Sequence, residues 1–363
     1  MSENRRALED LFSSEQIALE RGHLFSQTPL PMPTGFDFGF VEGMMWGLAI
    51  GDSLGNTTEG LLPNKRRNLF GEVRDYVSQS QRTLGLPSDD TQLAFWTLEQ
   101  LILDGGLNPD HLADRFCQGQ IFGIGNTVRE FIGNREKGAP WERCGPHSAG
   151  NGALMRIAPM LIPHLMHPSA DLWADTAISA MLTHNDSASN SACLTFTYMF
   201  WELLRMTDNP EPRWWLDTYV EIAKDLEGAS LYRPRGGEYM GYDGPLWQFV
   251  SEHVGEAFER GCSAVEACDR WFSGAYLLET VPSVIYILML HGAEPEEAIV
   301  RAVNDTKDND TVAAIVGAAV GALHGKDRLP YRWLSGLSGR TKEDDDGQIG
   351  WLIDQARKRF WKE

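Results

Sequence analysis

The segment Asn304–Gly325, NDTKDNDTVAAIVGAAVGALHG, joins an acidic start to a long run of small and apolar residues. Its three aspartates, Asp305, Asp308 and Asp310, fall within a stretch of six residues. A carboxylate near a helix N-terminus is stabilised by the helix dipole and can cap the helix. Capping accounts for one or two aspartates, but it does not explain why the helix that follows carries so little side chain. The segment therefore predicts a buried helix that begins at one half of a metal site.

A second segment, residues 40–55 (FVEGMMWGLAIGDSLG), carries a glycine at every fourth position. The four are Gly43, Gly47, Gly51 and Gly55. Residues four apart share one face of a helix, and a glycine in a helix interior costs about 1 kcal/mol. The close approach of another helix is the physical reason for such a stripe. Because Gly317 and Gly321 offer a matching smooth face, we predict that the two helices cross at close range in the core.

The composition of the 363-residue chain is that of a globular protein, with 42% apolar and 23% charged residues. No window approaches the ~18 consecutive apolar residues of a membrane span, and the charged start, MSENRRALED, lacks the apolar core of a signal peptide. The five cysteines are scattered and form no Cys-x-x-Cys pair, as is usual in a reducing compartment. A net charge of −19 disfavours contact with nucleic acid backbones. We therefore expect a cytoplasmic protein without nucleic acid or membrane partners.

Apolar residues recur at spacings of three and four, and the alternation typical of strands is almost absent. This pattern predicts an all-α fold, a single compact domain of many helices over residues 36–363 with its chemistry on the loops.

Residues 1–35 read as a separate N-terminal arm. Its short amphipathic helix carries Ala7, Leu8, Leu11 and Phe12, with Ile17 and Leu19 extending the pattern. The proline-rich tether that follows, residues 28–35, cannot be helical. Such an arm either packs on its own domain or reaches a partner.

A second acidic cluster, Ser-Asp-Asp-Thr at residues 88–91, stands at the start of another predicted helix. Adjacent aspartates at a helix start point in different directions, so that one faces a metal and the other a capped backbone. The neighbouring hydroxyls are oxygen ligands of the kind that hard cations such as Mg²⁺ prefer. Together with Asp308 and Asp310, this cluster predicts a site for two metal ions separated by ~3.5–4 Å.

Several loops carry the polar and glycine-rich residues expected around a binding site. Loop 122–127 precedes a predicted helix and would present backbone N–H groups to a phosphate. Residues 150–152, Gly-Asn-Gly, suggest left-handed backbone at a helix start. His184 closes an apolar helix, either as a C-terminal cap or as a functional residue. The glycine- and tyrosine-rich loop 231–247 predicts a pocket wall, and Tyr276 is available to stack on a flat ring.

Five motifs, taken in order along the chain, resemble those of the ADP-ribosylglycohydrolases. This family includes the dinitrogenase reductase-activating glycohydrolase and the ADP-ribosyl-arginine and ADP-ribosyl-serine hydrolases, and the resemblance runs from about Phe36 to the C-terminus. The motifs are Gly51–Gly55 with Glu59, Ser88–Thr91, Gly150–Arg156, Thr183–His184 and Asp308–Thr311. Each motif alone is a weak signal, whereas five in the family's order are specific. The resemblance implies an all-α fold with a dinuclear metal cleft.

The resemblance also implies two Mg²⁺ ions, with Mn²⁺ as the alternative. One ion would be held by Ser88, Asp89, Asp90 and Asp310. The other would be held by Asp308, Asp310 and Thr311, so that Asp310 bridges the two ions. The catalytic residues implied in the same way are Glu59, Asp89 and Asp308. Of these, Glu59 matches the acidic residue implicated in activating water or the scissile bond in serine-specific relatives.

The same resemblance assigns the groups that would bind ADP-ribose. The loop that lines the phosphates and the distal ribose comprises Gly123, Ile124, Gly125, Asn126 and Thr127. The loop that lines the ribose and phosphates from the other side comprises Gly150, Asn151 and Gly152. His184 and Tyr276 complete the set, with Tyr276 on the adenine side.

Three positions depart from the usual family pattern. Ser88 stands in place of a threonine and keeps its hydroxyl. Thr306-Lys307 stands where Gly-Gly is common, and Lys307 would contact a phosphate or an acidic partner. Asn309 stands where a threonine is common. Because every metal-binding carboxylate is retained, the sequence favours an active enzyme.

The predicted function is hydrolysis of the bond between ADP-ribose and a modified protein side chain, with arginine as the favoured acceptor. Serine, a nucleobase and O-acyl-ADP-ribose are alternative linkages, and a catalytically silent ADP-ribose-binding protein is a further alternative. The N-terminal arm adds the hypothesis of an immunity protein against an ADP-ribosyltransferase toxin. Residues 1–35 would then block the toxin while the enzyme domain reverses its damage.

Overall fold

The structure, a computed structural model, describes residues 2–77, 84–342 and 347–361. Within these ranges it consists of α-helices, short 3₁₀ turns and loops, and the only strand-like pairings are two isolated bridges. The helices are α1 (Glu3–Ser13), α2 (Gly39–Asn56), α3 (Pro63–Phe70), α4 (Asp89–Asp104), α5 (Pro109–Phe116), α6 (Asn126–Glu136), α7 (Asp171–Thr183), α8 (Ser187–Arg205), α9 (Pro212–Glu227), α10 (Leu246–Glu259), α11 (Ala264–Arg270), α12 (Leu277–His291), α13 (Pro295–Asp305), α14 (Asn309–His324), α15 (Tyr331–Gly336) and α16 (Gln348–Phe360). The prediction of an all-α, single-domain fold is confirmed.

The two glycine-rich helices, α2 and α14, cross in direct backbone contact. A Cβ atom added to Gly47 would lie 2.1 Å from the carbonyl oxygen of Gly317, and one added to Gly317 would lie 2.1 Å from that of Gly47. Side chains larger than a hydrogen atom therefore do not fit at either position. The predicted close crossing is confirmed. It brings the end of α2 to the start of α14, where a Cβ on Gly55 would lie 2.5 Å from the Cα atom of Asp310.

Helix α14 lies at the centre of the core, since every residue from Asn309 to Leu323 is buried. Helices α12 and α13 also pack against it, and α4 contacts both α2 and α14. Helix α4 begins where the Ser88 hydroxyl accepts a hydrogen bond from the Asp90 N–H at 3.2 Å. The end of α2 and the starts of α4 and α14 therefore meet at one end of the central helix pair.

The N-terminal arm packs along its own domain. Leu8 and Leu11 of α1 are buried, and so is Ile17. The helix stops before Glu15, which has a positive φ of 54°. The predicted extension of the helix through Ile17 and Leu19 is therefore wrong, because the chain turns after α1 and these residues are not helical.

Two buried tryptophans hold the arm at Gln27, just before the tether, and at Leu30 within it. The indole N–H of Trp173, on α7, donates to the carbonyl of Gln27 at 2.8 Å, and that of Trp201, on α8, donates to the carbonyl of Leu30 at 2.8 Å. The non-helical tether predicted from its prolines thus finds partners for its backbone carbonyls. Within the described ranges, no helix has both the length and the apolar character needed to cross a membrane.

Candidate active site

Carboxylates from three helix ends converge at one end of the α2–α14 pair. Oxygen atoms of Asp52, Asp90 and Asp310 all lie within 4.8 Å of one another, and so do oxygen atoms of Glu59, Asp308 and Asp310. Asp310 thus belongs to both groups. A carboxylate that bound two ions at once would have to be shared in this way. The two acidic clusters that the sequence places more than two hundred residues apart meet in space.

Asp52 shapes the turn that carries Asp89 and Asp90. Its carboxylate is fully buried on α2 and accepts hydrogen bonds from the N–H groups of Ser88, at 2.9 Å, and Thr91, at 3.0 Å. The Thr91 hydroxyl donates to the same carboxylate at 2.5 Å. The sequence prediction gave Asp52 no site role. An acidic residue on the buried face of a glycine-striped helix is the signal that could have found it.

Asp90 has one carboxylate oxygen occupied and one free. Its Oδ2 accepts a hydrogen bond from the Ser88 hydroxyl at 3.0 Å. Its Oδ1 is buried and has no hydrogen-bond partner in the part of the chain that the structure describes. A buried polar oxygen without a partner is costly, and a cation would satisfy it. The atoms around it that could bind a metal are carboxylate and hydroxyl oxygens, so the residues present fit a hard divalent cation.

The electrostatics of the cluster also favour a cation. Burial, helped by neighbouring carboxylates, raises the pKa of Asp89 to about 7 and that of Asp308 to about 6. The same two causes raise the pKa values of Asp90 and Asp310 well above the ordinary range. Carboxyl groups this close cannot all ionise at neutral pH without a compensating positive charge.

The carboxylates other than that of Asp52 line a cavity of about 490 Å³ that brings together most of the predicted site residues. Those that line it are Glu59, Asp89, Asp90, Gly123, Gly125, Asn126, Thr127, Gly150, Asn151, Gly152, His184, Tyr276, Asp308, Asp310 and Thr311. Two predicted residues do not line it. Ser88 is buried with its hydroxyl bound to Asp90, and the half-buried side chain of Ile124 packs against the hydrophobic core instead. Ile124 was grouped with its loop by sequence, but an apolar side chain in that loop turns toward the core.

His184 is buried against the glycine turn at residues 150–152. A Cβ atom on Gly152 would lie 2.8 Å from the ring, so this close packing requires the glycine. One ring nitrogen lies 3.0 Å from the Thr183 hydroxyl. Burial, with a smaller contribution from the Arg156 charge, lowers the pKa of His184 to about 3. The imidazole is therefore neutral at physiological pH and can act as a hydrogen-bonding group but not as a cation.

Asn151 connects the glycine turn to the acidic cluster. Its amide nitrogen donates to Asp308 at 2.6 Å and to the Thr280 hydroxyl at 3.0 Å. The bond to Thr280 holds the amide in place, and the bond to Asp308 fixes one oxygen of that carboxylate. Tyr276, at the start of α12, closes the adjoining wall, where the Leu277 N–H donates to the Ala149 carbonyl at 3.0 Å.

Two residues near the acidic segment lie outside the cavity. Asp305 ends α13 and pairs with Arg301 at 3.4 Å. The ammonium group of Lys307 lies 4.0 Å from the ring centre of Phe272. The contact predicted for Lys307 with a phosphate or an acidic partner stays a prediction.

Sequence reasoning missed several lining residues, of which Arg235 matters most. The others are Val128, Ser148, Ala149, Met155 and Ala275. Arg235 is the residue through which the predicted loop 231–247 lines the cavity, so one side chain forms the predicted wall there, and from Leu246 onward the segment is helix α10. Its guanidinium pairs with Glu279 at 3.0 Å and stands over the Tyr276 ring, 4.7 Å from the ring centre.

The chain is similar in sequence and in fold to known proteins. The chain is 24% identical over 323 residues to the ADP-ribosyl-(dinitrogen reductase) glycohydrolase of Rhodospirillum rubrum, covering 86% of this chain and 95% of that protein. It is 25% identical over 308 residues to the ADP-ribosylarginine hydrolase Tri1 of Pseudomonas putida (strain GB-1), covering 81% of this chain and 73% of that protein. A solved structure titled ADP-ribosylglycohydrolase-related protein complex has the same fold, with a TM-score of 0.63 at 23% identity over 88% of this chain and 96% of the other. The ADP-ribosylglycohydrolase family model matches residues 38–361, and this chain therefore belongs to that family.

Proposed function

We propose that this protein hydrolyses the bond between the anomeric carbon of ADP-ribose and an arginine side chain of a modified protein. The observation that carries the proposal is the presence of two clusters of three acidic residues that share Asp310. They lie at one side of a cavity that two glycine-rich loops line. The names of the relatives support the acceptor, since one is an ADP-ribosylarginine hydrolase and another acts on ADP-ribosylated dinitrogen reductase.

Members of the family are metal-dependent, and we propose two Mg²⁺ ions here, with Mn²⁺ as the alternative. The proposed ligands of the first are Ser88, Asp89, Asp90 and Asp310. Those of the second are Asp308, Asp310 and Thr311. Bound ions of this kind lower the pKa of water and orient substrate oxygens, here the ribose hydroxyls.

The side chains around the cluster have separate proposed tasks. Asp52 fixes the turn that presents Asp89 and Asp90, and Asn151 orients Asp308. Glu59 is the most exposed member of the acidic cluster, but its carboxyl group is partly desolvated, and this desolvation together with the charge of Asp52 raises its pKa. A carboxyl group with a raised pKa exchanges a proton more readily near neutral pH. We assign to Glu59 the activation of water or the protonation of the leaving group.

The two glycine-rich loops would hold the ADP-ribosyl group. Gly123 has a positive φ of 79°, and a Cβ there would lie 3.1 Å from the Asp89 carboxylate, so a larger residue would crowd the cluster. The N-terminus of α6, which starts at Asn126, directs free N–H groups to the same side. Such groups suit a phosphate. Tyr276, which carries the Arg235 guanidinium over one face of its ring, would offer the opposite face to the adenine.

The proposal is tested with a set of substrates that differ only in linkage. Proteins carrying ADP-ribose on arginine or on serine, an ADP-ribosylated nucleobase and O-acetyl-ADP-ribose are incubated with the protein in Mg²⁺ or EDTA. Release of ADP-ribose is followed by mass spectrometry. We expect cleavage of the arginine linkage in Mg²⁺ and none in EDTA. If only another linkage is cleaved, the residue or group in that linkage is the acceptor and arginine is not. If no substrate releases ADP-ribose, the proposed hydrolysis is refuted.

Two variants separate the metal ligands from nearby acids. The activity of the double variant Asp308→Ala/Asp310→Ala should fall by at least about 10³-fold, because each of the two acidic clusters loses at least one of its carboxylates. Asp305→Asn serves as the matched control, since Asp305 lies in the same acidic segment but pairs with Arg301 outside the cavity. It should retain wild-type activity.

The blocking of an ADP-ribosyltransferase toxin by residues 1–35 stays a prediction, and so does the cytoplasmic location. Leu8 and Leu11 are buried against the protein's own domain in this structure. To enter a partner's active site, the arm would have to expose them. Binding of the intact protein to such a toxin, and its loss on deleting residues 1–35, would be required for this role.

A further inference from the structure

The charges lining the cavity are unevenly distributed. Five carboxylates face it, contributed by Glu59, Asp89, Asp90, Asp308 and Asp310. Among the lining residues that the structure describes, Arg235 alone carries a permanent positive charge, because His184 is neutral. An anionic ligand entering this cavity therefore meets one fixed protein cation.

The guanidinium of Arg235 is held in a defined orientation. Its Nε and Nη2 atoms donate to the two carboxylate oxygens of Glu279 at 3.1 and 3.0 Å, which is the bidentate geometry specific to arginine. The central carbon of the group lies over the Tyr276 ring, 4.7 Å from the ring centre. Its Nη1 atom donates to no group within the described ranges, and the side chain is 53% exposed. One set of N–H groups thus remains available to a ligand.

Glu279 is placed so as to hold this arginine. It is fully buried in the first turn of α12, where an unpaired carboxylate would be strongly unfavourable. Gly274 makes room for it, since a Cβ there would lie 2.5 Å from Oε2 of Glu279. A buried carboxylate that binds a half-exposed guanidinium adds little stability by itself, because the desolvation cost offsets most of the attraction. Its effect is to fix a cation at the cavity wall.

We propose that Arg235 binds the diphosphate of the ADP-ribosyl group, and that Glu279 and Tyr276 position its guanidinium for this contact. The inference rests on the proposed function, which supplies a ligand with two phosphate charges. Two bound Mg²⁺ ions would offset four of the five carboxylate charges, but their proposed task is to orient the ribose hydroxyls, so the diphosphate still needs hydrogen-bond donors of its own. Planar N–H donors match phosphate oxygens well. Arg235 therefore selects for substrates that carry a phosphorylated ribose over those with a bare sugar.

The test measures ligand binding rather than turnover. Arg235→Gln alone would leave Glu279 unpaired, so Arg235→Gln/Glu279→Gln is the main variant, and circular dichroism confirms its fold. Arg233→Gln is the matched control, because Arg233 lies in the same loop but pairs with Asp243 at the surface. Dissociation constants for ADP-ribose and ADP are measured by calorimetry in Mg²⁺. The weaker binding of adenosine is followed by ligand-observed NMR.

We expect the double variant to bind ADP-ribose and ADP about 10- to 100-fold more weakly, the range for losing charge-assisted hydrogen bonds, while adenosine binding stays unchanged. Arg233→Gln should match the wild type for all three ligands. An equal loss for adenosine would overturn the inference and indicate a base-stacking role. Unchanged ADP-ribose binding, or a wild-type protein that binds neither ADP-ribose nor ADP, would overturn it as well. Because ADP-ribose is common to every linkage, a failure to cleave arginine linkages would refute the proposed function without affecting this result.

Discussion

The side-chain amide of Asn309 donates to the hydroxyl of Thr58 at 3.0 Å, which joins the start of α14 to the loop that carries Glu59. The same amide nitrogen lies 3.1 Å from the carbonyls of Gly55 and Val303. Thr58 is also held from the opposite side by the fully buried Arg66, whose Nε donates to the same hydroxyl at 2.9 Å. The Glu59 loop is thus fastened to the segment that carries Asp308 and Asp310.

This contact predicts the effect of replacing Asn309. In Asn309→Ala, buried acceptors lose their donor, and we expect the free energy of unfolding to fall by about 1–3 kcal/mol. Amide hydrogen exchange of residues 57–60 should become faster, because Thr58 loses one of its two anchors. Denaturant unfolding and exchange mass spectrometry measure the two effects. Asn64→Ala, on the exposed face of α3, is the control and should change neither. Protected exchange in the Asn309 variant would show that Arg66 holds the loop alone.

The crossing of α2 and α14 predicts opposite outcomes for two glycine-to-alanine changes. In Gly47→Ala the new methyl group would lie 2.1 Å from a backbone oxygen, and no flexible side chain is there to yield. We expect a loss of at least about 3 kcal/mol, or failure to fold. Gly133→Ala, in the middle of α6 with nothing within 4 Å of the added carbon, should stabilise the protein by about 0.5–1 kcal/mol. Equal effects at both positions would contradict close backbone packing as the reason for the stripe.

These positions show which parts of the molecule the sequence could predict. The glycine stripes and the two aspartate clusters are local patterns, and helix geometry turns a spacing of four into a shared face. The bonds from Thr91 to Asp52 and from Arg235 to Glu279 join residues 39 and 44 positions apart. No spacing rule relates such residues, because loops and helix crossings decide where they meet. The meeting of the two acidic clusters was therefore predictable, whereas the pairing of Thr91 with Asp52 and of Arg235 with Glu279 was not.

Asp52 is predicted to affect metal binding through the turn it supports. In Asp52→Asn the amide cannot accept all the hydrogen bonds from Ser88 and Thr91, and its N–H₂ group faces donors in any orientation. We expect Mn²⁺ binding, followed by calorimetry or electron paramagnetic resonance, to weaken about 10- to 100-fold, as for other residues that orient metal ligands. The fold should persist, as judged by circular dichroism. Unchanged Mn²⁺ affinity would mean that the turn keeps its shape without Asp52.

The raised pKa values in the acidic cluster predict a pH dependence that metal ions reverse. A carboxyl group whose pKa is higher in the folded state stabilises the protein below its unfolded value, and that contribution is lost as the pH rises through the folded value. This stabilisation is lost between about pH 4 and about pH 7 for Asp89, and between about pH 4 and about pH 6 for Asp308. In EDTA, Tm should therefore fall as the pH rises from 5 to 8. In saturating Mg²⁺ the ionised carboxylates bind the cation. The difference between Tm in Mg²⁺ and Tm in EDTA should therefore increase by roughly 5–10 °C between pH 5 and pH 8. A gap independent of pH would contradict this coupling.

Asp310→Asn distinguishes this coupling from a general effect of pH on the chain. Burial and four neighbouring acids raise the pKa of Asp310, so its charge opposes folding when no cation is bound. The neutral amide removes that repulsion, and in EDTA at pH 8 the variant should melt at a higher temperature than the wild type. In Mg²⁺ the order should invert, because the variant lacks the carboxylate common to both groups. Scanning calorimetry with and without Mg²⁺ measures both orders. A variant less stable than the wild type in EDTA would contradict this, because it would show that the Asp310 carboxylate stabilises the fold even when no cation is bound.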